Sequence, residues 1–156
     1  MSSEHKYTST ITWTGNTGEG TVGYRKYSRD HELSVEGKAV VPLSSDPSFR
    51  GDSSRLNPEE LLLSSLSSCH MLWYLHLCAE NGIVVQRYID RAEGIMEDDG
   101  DGSGAFTKVV LYPEIRIESP ENKNIANELH HEAHNMCFIA NSVNFEVVVK
   151  AKILVR

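Results

Sequence analysis

Residues 57–82 read NPEELLLSSLSSCHMLWYLHLCAENG, and the fold is decided here. Asn57 is a helix N-cap, Pro58 suits the first helical position, and Glu60, three residues after the cap, completes a capping box. Gly82 supplies the left-handed residue that ends a helix, so the spacing predicts one helix from about Pro58 to Asn81. Its apolar residues, Leu61, Leu62, Leu63, Leu66, Met71, Leu72, Trp73, Leu75 and Leu77, cover most of the circumference. That pattern predicts a helix buried on nearly all sides, more than a thin domain covers by itself.

Strand signals lie to either side. Tyr7, Ser9, Ile11 and Trp13 alternate with threonines, a period of two in β-branched and aromatic residues. GNTGEG reads as a turn, and Gly20 to Tyr27 and Glu32 to Val41 as two further strands of an N-terminal meander. The polar loop SSDPSFRGDSSRL leads into the helix. Beyond it, Val84 to Met96 and Ala105 to Glu118 flank EDDGDGSG as a predicted hairpin. Ser119 and Pro120 then start a second helix, with Ile125, Leu129 and Ala133 on one face. From Asn144 to Val155, alternating Phe145, Val147, Val149, Ala151, Ile153 and Val155 predict a closing strand. The order describes an α+β chain, and 156 residues fit a single domain, 1–156.

The net charge of −7 and scattered basic residues leave no footprint for nucleic acid. The start, MSSEHKYTSTITW, lacks the features of a secretion signal, and no uninterrupted run nears the roughly 20 apolar residues that span a bilayer. A cytoplasmic location and no membrane partner are expected. Three cysteines make a poor structural disulfide framework, and in a reducing compartment a pair that does bond is expected to cycle.

A lone helical cysteine is by default an inert, buried apolar group, and Cys78 is read that way. Cys69 differs, because Ser64, Ser65, Ser67, Ser68 and His70 surround it with local hydrogen-bonding capacity. Cys69 and Cys78 lie nine residues apart, about 13 Å along an intact helix, whereas a disulfide needs Cα atoms within roughly 7 Å. Cys137 is the distant partner that remains. It precedes FIANSV and is expected at the start of a short helix, where the macrodipole favours a thiolate. A competing reading is a metal site, since His130, His134 and Cys137 fall at spacings of four and three on one helical face. HHEAHN is not HExxH, however, and solvated helix histidines are the plainer account of His130 and His131. The acidic EDDGDGSG turn fails as an EF-hand, because counting from Asp99 puts Val110 where a bidentate Glu is required.

NPEELLLSSLSSC followed by AHNMC resembles the family of osmotically inducible protein C and the organic hydroperoxide resistance proteins, OsmC/Ohr. The resemblance implies an OsmC-like fold in which antiparallel sheets wrap long central helices in an intertwined homodimer. It also implies a peroxidatic thiolate at Cys69, a resolving thiol at Cys137, a supporting Arg and Glu pair, and no bound cofactor or metal. Glu59 stands at the matching motif position. Arg50, in SFRGD, fits the arginine best, with Arg25 and Arg29 as alternatives. The sequence departs from the family at CFIANS, where many members place a proline directly after the second cysteine.

The activity so implied is reduction of organic hydroperoxides, alkyl or lipid, through a Cys69 sulfenic acid and a Cys69–Cys137 disulfide. A dithiol, of lipoyl type in the family, regenerates the thiols. A thiol with an ordinary pKa of about 8.5 is mostly protonated at neutral pH, so Arg50 is the expected activator and Glu59 its bidentate partner. Glu59 precedes Cys69 by ten residues, about 15 Å of straight helix. Either the helix start bends or Glu59 acts through the arginine across a dimer interface, the favoured reading. Trp73 and Phe138 add apolar surface suited to an alkyl group. Other functions compatible with the residues are a non-catalytic thiol redox sensor, or a small-ligand or metal-binding protein of the same fold.

Overall fold

The computed structural model describes residues 3–155. They fall into two compact units, one ending at Leu61 and one beginning at Leu62.

The first unit holds an antiparallel meander of β1 (Thr10–Trp13), β2 (His31–Ser34) and β3 (Val41–Leu43). Thr10 faces Ser34 and Trp13 faces His31 across β1 and β2, and His31 faces Leu43 across β2 and β3. The expected strand from Gly20 to Tyr27 does not form. Asn16 Oδ1 instead accepts hydrogen bonds from the Gly18 and Gly20 amides at 2.9 and 3.0 Å, and both glycines take positive φ, which a strand cannot use. The expected strand from Glu32 to Val41 is likewise cut short. Gly37 adopts φ +74° and the Lys38 amide donates to Val35 O at 3.0 Å, so the chain reverses into β3.

Helix α1 (Pro58–Glu80) has the predicted ends. Glu60 N–H donates to Asn57 Oδ1 at 2.8 Å and Asn57 N–H to Glu60 Oε2 at 3.1 Å, a reciprocal capping box. At the other end Gly82 has φ +67°, and the Ile83 and Gly82 amides donate to Cys78 O and Ala79 O, the Schellman arrangement. The expectation of burial on nearly all sides does not hold for one chain. Leu66, His70, Tyr74, Leu77 and Cys78 form the buried stripe, whereas Leu72 is 61% exposed. By length and composition α1 is long and apolar enough to cross a membrane, but Leu66, Tyr74 and Leu77 pack in the apolar clusters, as in a core helix.

In the second unit each long predicted strand is two strands. Val84–Met96 divides into β4 (Val85–Asp90) and β5 (Glu93–Asp98), and Ala105–Glu118 into β6 (Gly104–Leu111) and β7 (Pro113–Ile117). The tail divides into β8 (Glu146–Val149) and β9 (Lys152–Val155). One sheet has the order β4-β7-β9 and the other β5-β6-β8. The tail strands pair in parallel with β6 and β7, so these sheets are mixed rather than antiparallel. Asp90 marks the break: its carboxylate accepts from the Tyr112 amide at 2.7 Å and from the Ser67 hydroxyl of α1 at 2.5 Å. A side chain takes the place of a ladder bond at the corner, and alternation in sequence does not register that change.

Helix α2 (Lys123–Met136) follows a 3-10 turn at Pro120–Asn122. Ser119 precedes that turn in an extended conformation and makes no capping bond, contrary to the predicted N-cap. The buried face is Ala126, Leu129, His130 and Ala133, which leaves Ile125 at its edge, 46% exposed. Two apolar clusters result. Tyr74, Leu77, Cys78 and Ile83 pack with Leu129, Ala133, Ile115, Ile117 and Ile153, while Leu66 packs with Val109 and Leu111. Full burial of each Leu or Ile is worth about 1.5–3 kcal/mol, which fixes α1 and α2 against their sheets.

Candidate thiol site

Cys69 lies in the middle of α1 and is half-buried, while Cys137 follows the last turn of α2 and is 1% exposed. Their side chains are within hydrogen-bonding reach of each other, and both are free thiols. Backbone geometry sets the second cysteine. The Cys137 amide donates to His134 O at 3.3 Å, its φ and ψ of −69° and 109° break the helix, and the Ala140 amide donates to Cys137 Sγ at 3.4 Å.

The macrodipole expectation for Cys137 fails on magnitude. Burial pushes its pKa up to about 11, the bond from Ala140 opposes the shift, and the neighbouring Cys69 adds to it. At neutral pH Cys137 is therefore a protonated thiol. Cys78, 1% exposed and raised by burial, belongs to the apolar cluster with Tyr74. Two of the serines expected to serve Cys69 are committed elsewhere: Ser65 donates to Leu62 O at 2.7 Å, and Ser67 to Asp90.

Next to Cys69 the structure holds a feature the sequence reading missed. His70 Nε2 and His130 Nδ1 share a hydrogen bond of 2.9 Å, at 1% and 4% exposure, and Tyr74 stacks on His130 with ring centroids 3.9 Å apart. Burial, with His134 nearby, pushes His70 down to about 4, and burial, with His70 beside it, holds His130 down to about 3. Both rings are neutral. His70 Nδ1 and His130 Nε2 have no hydrogen-bond partner. The solvated reading of His130 is overturned, since His130 lies on the buried face of α2 with Ala126, Leu129 and Ala133. His130 is thus engaged by His70 and Cys137 by Cys69. Among the described residues no three His, Cys, Asp or Glu side chains converge as a metal site.

In the first unit, Arg50 is exposed and holds φ +66°, the left-handed conformation uncommon for a residue with a side chain. Arg50 and Arg25 line one open cleft with Asp30 and Asp52. Arg29 is occupied: its guanidinium lies 4.4 and 4.1 Å from the Tyr24 and Tyr27 ring centroids and donates to both backbone oxygens at 2.7 Å. Glu59 stands half-buried in the first turn of α1.

Two free thiols in mutual reach, one buried beyond a helix end and one on a central helix, define a dithiol protein of α+β architecture. The OsmC family, described as OsmC-like protein, matches residues 51–152, and the chain belongs to it. Among solved structures it resembles an OsmC-like protein of unknown function from Vibrio cholerae, at 32% identity and a TM-score of 0.85, covering 96% of this chain and 100% of that one. It also resembles an organic hydroperoxide resistance protein from Elizabethkingia anophelis with thiocyanate bound, at 17% identity and a TM-score of 0.71 over 100% of both chains. A third is a putative organic hydroperoxide resistance protein from Vibrio cholerae with captopril in one of its active sites, at 21% identity and 0.65, covering 98% of this chain and 94% of that one. The last two likenesses are of fold. No curated protein matches the chain.

Proposed function

We propose that the protein is a thiol peroxidase that reduces organic hydroperoxides to alcohols, with Cys69 as the attacking thiolate and Cys137 as the resolving thiol. The observation that carries this reading is the contact between a half-buried Cys69 and a buried Cys137 with no disulfide between them. The Cys69 thiolate attacks the O–O bond, takes one oxygen as sulfenic acid, and the alkoxide leaves with a proton as alcohol. Cys137, kept protonated by burial, then condenses with the sulfenic acid to a disulfide and water. An external dithiol, of lipoyl type in this reading, returns both cysteines to thiols and is itself oxidised. The activating cation is Arg50, oriented by Glu59, both supplied through an intertwined homodimer. Arg29 is the weakest alternative, since its guanidinium is already held between two tyrosines. The reductant requirement suits a cytoplasmic setting.

The test is thiol titration with mass spectrometry before and after one equivalent of an organic hydroperoxide. Loss of two thiols with a Cys69–Cys137 link, and a trapped Cys69 sulfenic acid in Cys137→Ser, supports the reading. No rapid oxidation of Cys69 would sink it. Oxidation without turnover on added dithiol would leave a redox sensor.

A further inference from the structure

Cys69 belongs to α1 and Cys137 to the end of α2, so their meeting depends on how one helix lies against the other. Among the described residues, two side-chain hydrogen bonds join these helices. His70, next to Cys69, meets His130 at 2.9 Å, and one turn further along α1 the Tyr74 hydroxyl donates to Ala126 O at 2.9 Å. Tyr74 also lies flat on the His130 ring, with the two planes 10° apart. One bond leaves a helix free to pivot, whereas two bonds a turn apart on each helix fix both its slide and its rotation.

Packing alone does not account for the imidazole bond. Two neutral rings bring two N–H groups, and only one of them lies between the rings. Whichever ring donates, the accepting ring turns its own N–H outward and the donating ring a bare lone pair. His70 Nδ1 and His130 Nε2 are those outer atoms, both buried and unpartnered. An apolar pair of similar volume carries no such atoms. What it does not supply is register, because apolar side chains slide over one another and a directional bond does not.

Register matters at the thiols. A disulfide requires the sulfurs to close to about 2.05 Å at a specific dihedral angle, and a displacement of about 1 Å costs roughly a hundredfold in a reaction between held groups. Resting on the peroxidase reading, we propose that His70 and His130 are positioning residues for the resolving step. Their bond, together with that of Tyr74, holds Cys137 where it closes on Cys69. They act through the two helices, and the chemistry remains with the thiols.

The test needs no peroxide. The full-length chain is equilibrated with glutathione and glutathione disulfide, so that the protein dithiol and one glutathione disulfide exchange for the Cys69–Cys137 disulfide and two glutathiones. The link is read by mass spectrometry and the fold by circular dichroism. An apolar pair, His70→Leu with His130→Leu, keeps the volume and drops the bond. An amide pair, His70→Gln with His130→Asn, puts amide groups where Nε2 and Nδ1 stand. The disulfide is expected to be about tenfold less favoured in the apolar pair, about 30 mV in potential, and to return to within about twofold of wild type in the amide pair. Tyr74→Phe, a milder change that removes the second bond, is expected to shift the potential the same way by about threefold; no shift there overturns the two-bond account. Equal potentials in wild type and a folded apolar pair overturn the proposal and leave the peroxidase reading intact. An equal loss in the apolar and amide pairs overturns it too, since side-chain shape and not the bond would then set the thiols. A wild type that forms the Cys69–Cys137 link with glutathione disulfide but not with an organic hydroperoxide overturns the peroxidase reading, and with it the step assigned to these histidines.

Discussion

Two neighbouring residues of α1 make two quite different pairs. Cys69 meets Cys137 in a contact that joins a half-buried group to a buried one, whereas His70 meets His130 with both rings sealed at 1% and 4% exposure. Rotation of about 100° per residue around the helix separates an accessible face from a closed one. Under the proposed function the thiol pair is the one that reacts, whereas the imidazole pair holds α1 on α2 without charge. A polar pair next to a reactive group is therefore no sign of shared chemistry. Accessibility separates the two roles.

The contrast breaks first at the thiols. Cys69→Ser is expected to lower hydroperoxide reduction by roughly a thousandfold or more, with melting behaviour close to wild type, as read by peroxide consumption and circular dichroism. Cys137→Ser should retain one stoichiometric oxidation and lose turnover. The imidazole pair should show the reverse. His70→Ala opens a cavity and leaves His130 Nδ1 unpaired, so a loss of about 3 kcal/mol in denaturant midpoint analysis is expected. A selective loss of activity at unchanged stability would instead place His70 in the chemistry.

Acid sharpens the comparison further. Both histidines are depressed in the folded state, to about 4 and about 3, from an ordinary value near 6.5. The unfolded chain binds protons first as pH falls, so the pair's contribution is full above about pH 6.5 and declines from there toward pH 4 and below. The decline amounts to several kcal/mol for the two rings together, measured as unfolding free energy against pH. A flat profile between pH 6.5 and 4 would mean that the rings are not sealed. The smallest effect belongs to Cys78→Ala. It sits in the apolar cluster outside the thiol pair, so a cost of about 1 kcal/mol and unaltered peroxide reduction are expected.

The helix that carries the site was legible because its ends are written in side chains: Asn57, Glu60 and Gly82 each make the predicted bond or turn. The Cys69–Cys137 contact was reachable by excluding Cys78. Other features were decided by interactions that periodicity does not encode. Alternation from Val84 to Met96 and from Asn144 to Val155 is continuous, yet each run is bent into two sheets, with Asp90 holding the first break. Asn16 and two glycines turned an apparent strand into a loop. The pKa of Cys137 was misjudged because burial outweighs a helix-end field. Nothing adjacent in sequence announces the burial of His130, because its partner His70 lies 60 residues away.

Asp90 has a wider consequence. Its two bonds, to Tyr112 in the strand corner and to Ser67 two residues before Cys69, give the thiol its address relative to the sheets. The turn at residues 99–103 lies at the far end of the β5–β6 hairpin from that anchor. A change of length in that turn should therefore leave the position of Cys69 unaltered, because the anchor lies at the opposite end of the hairpin.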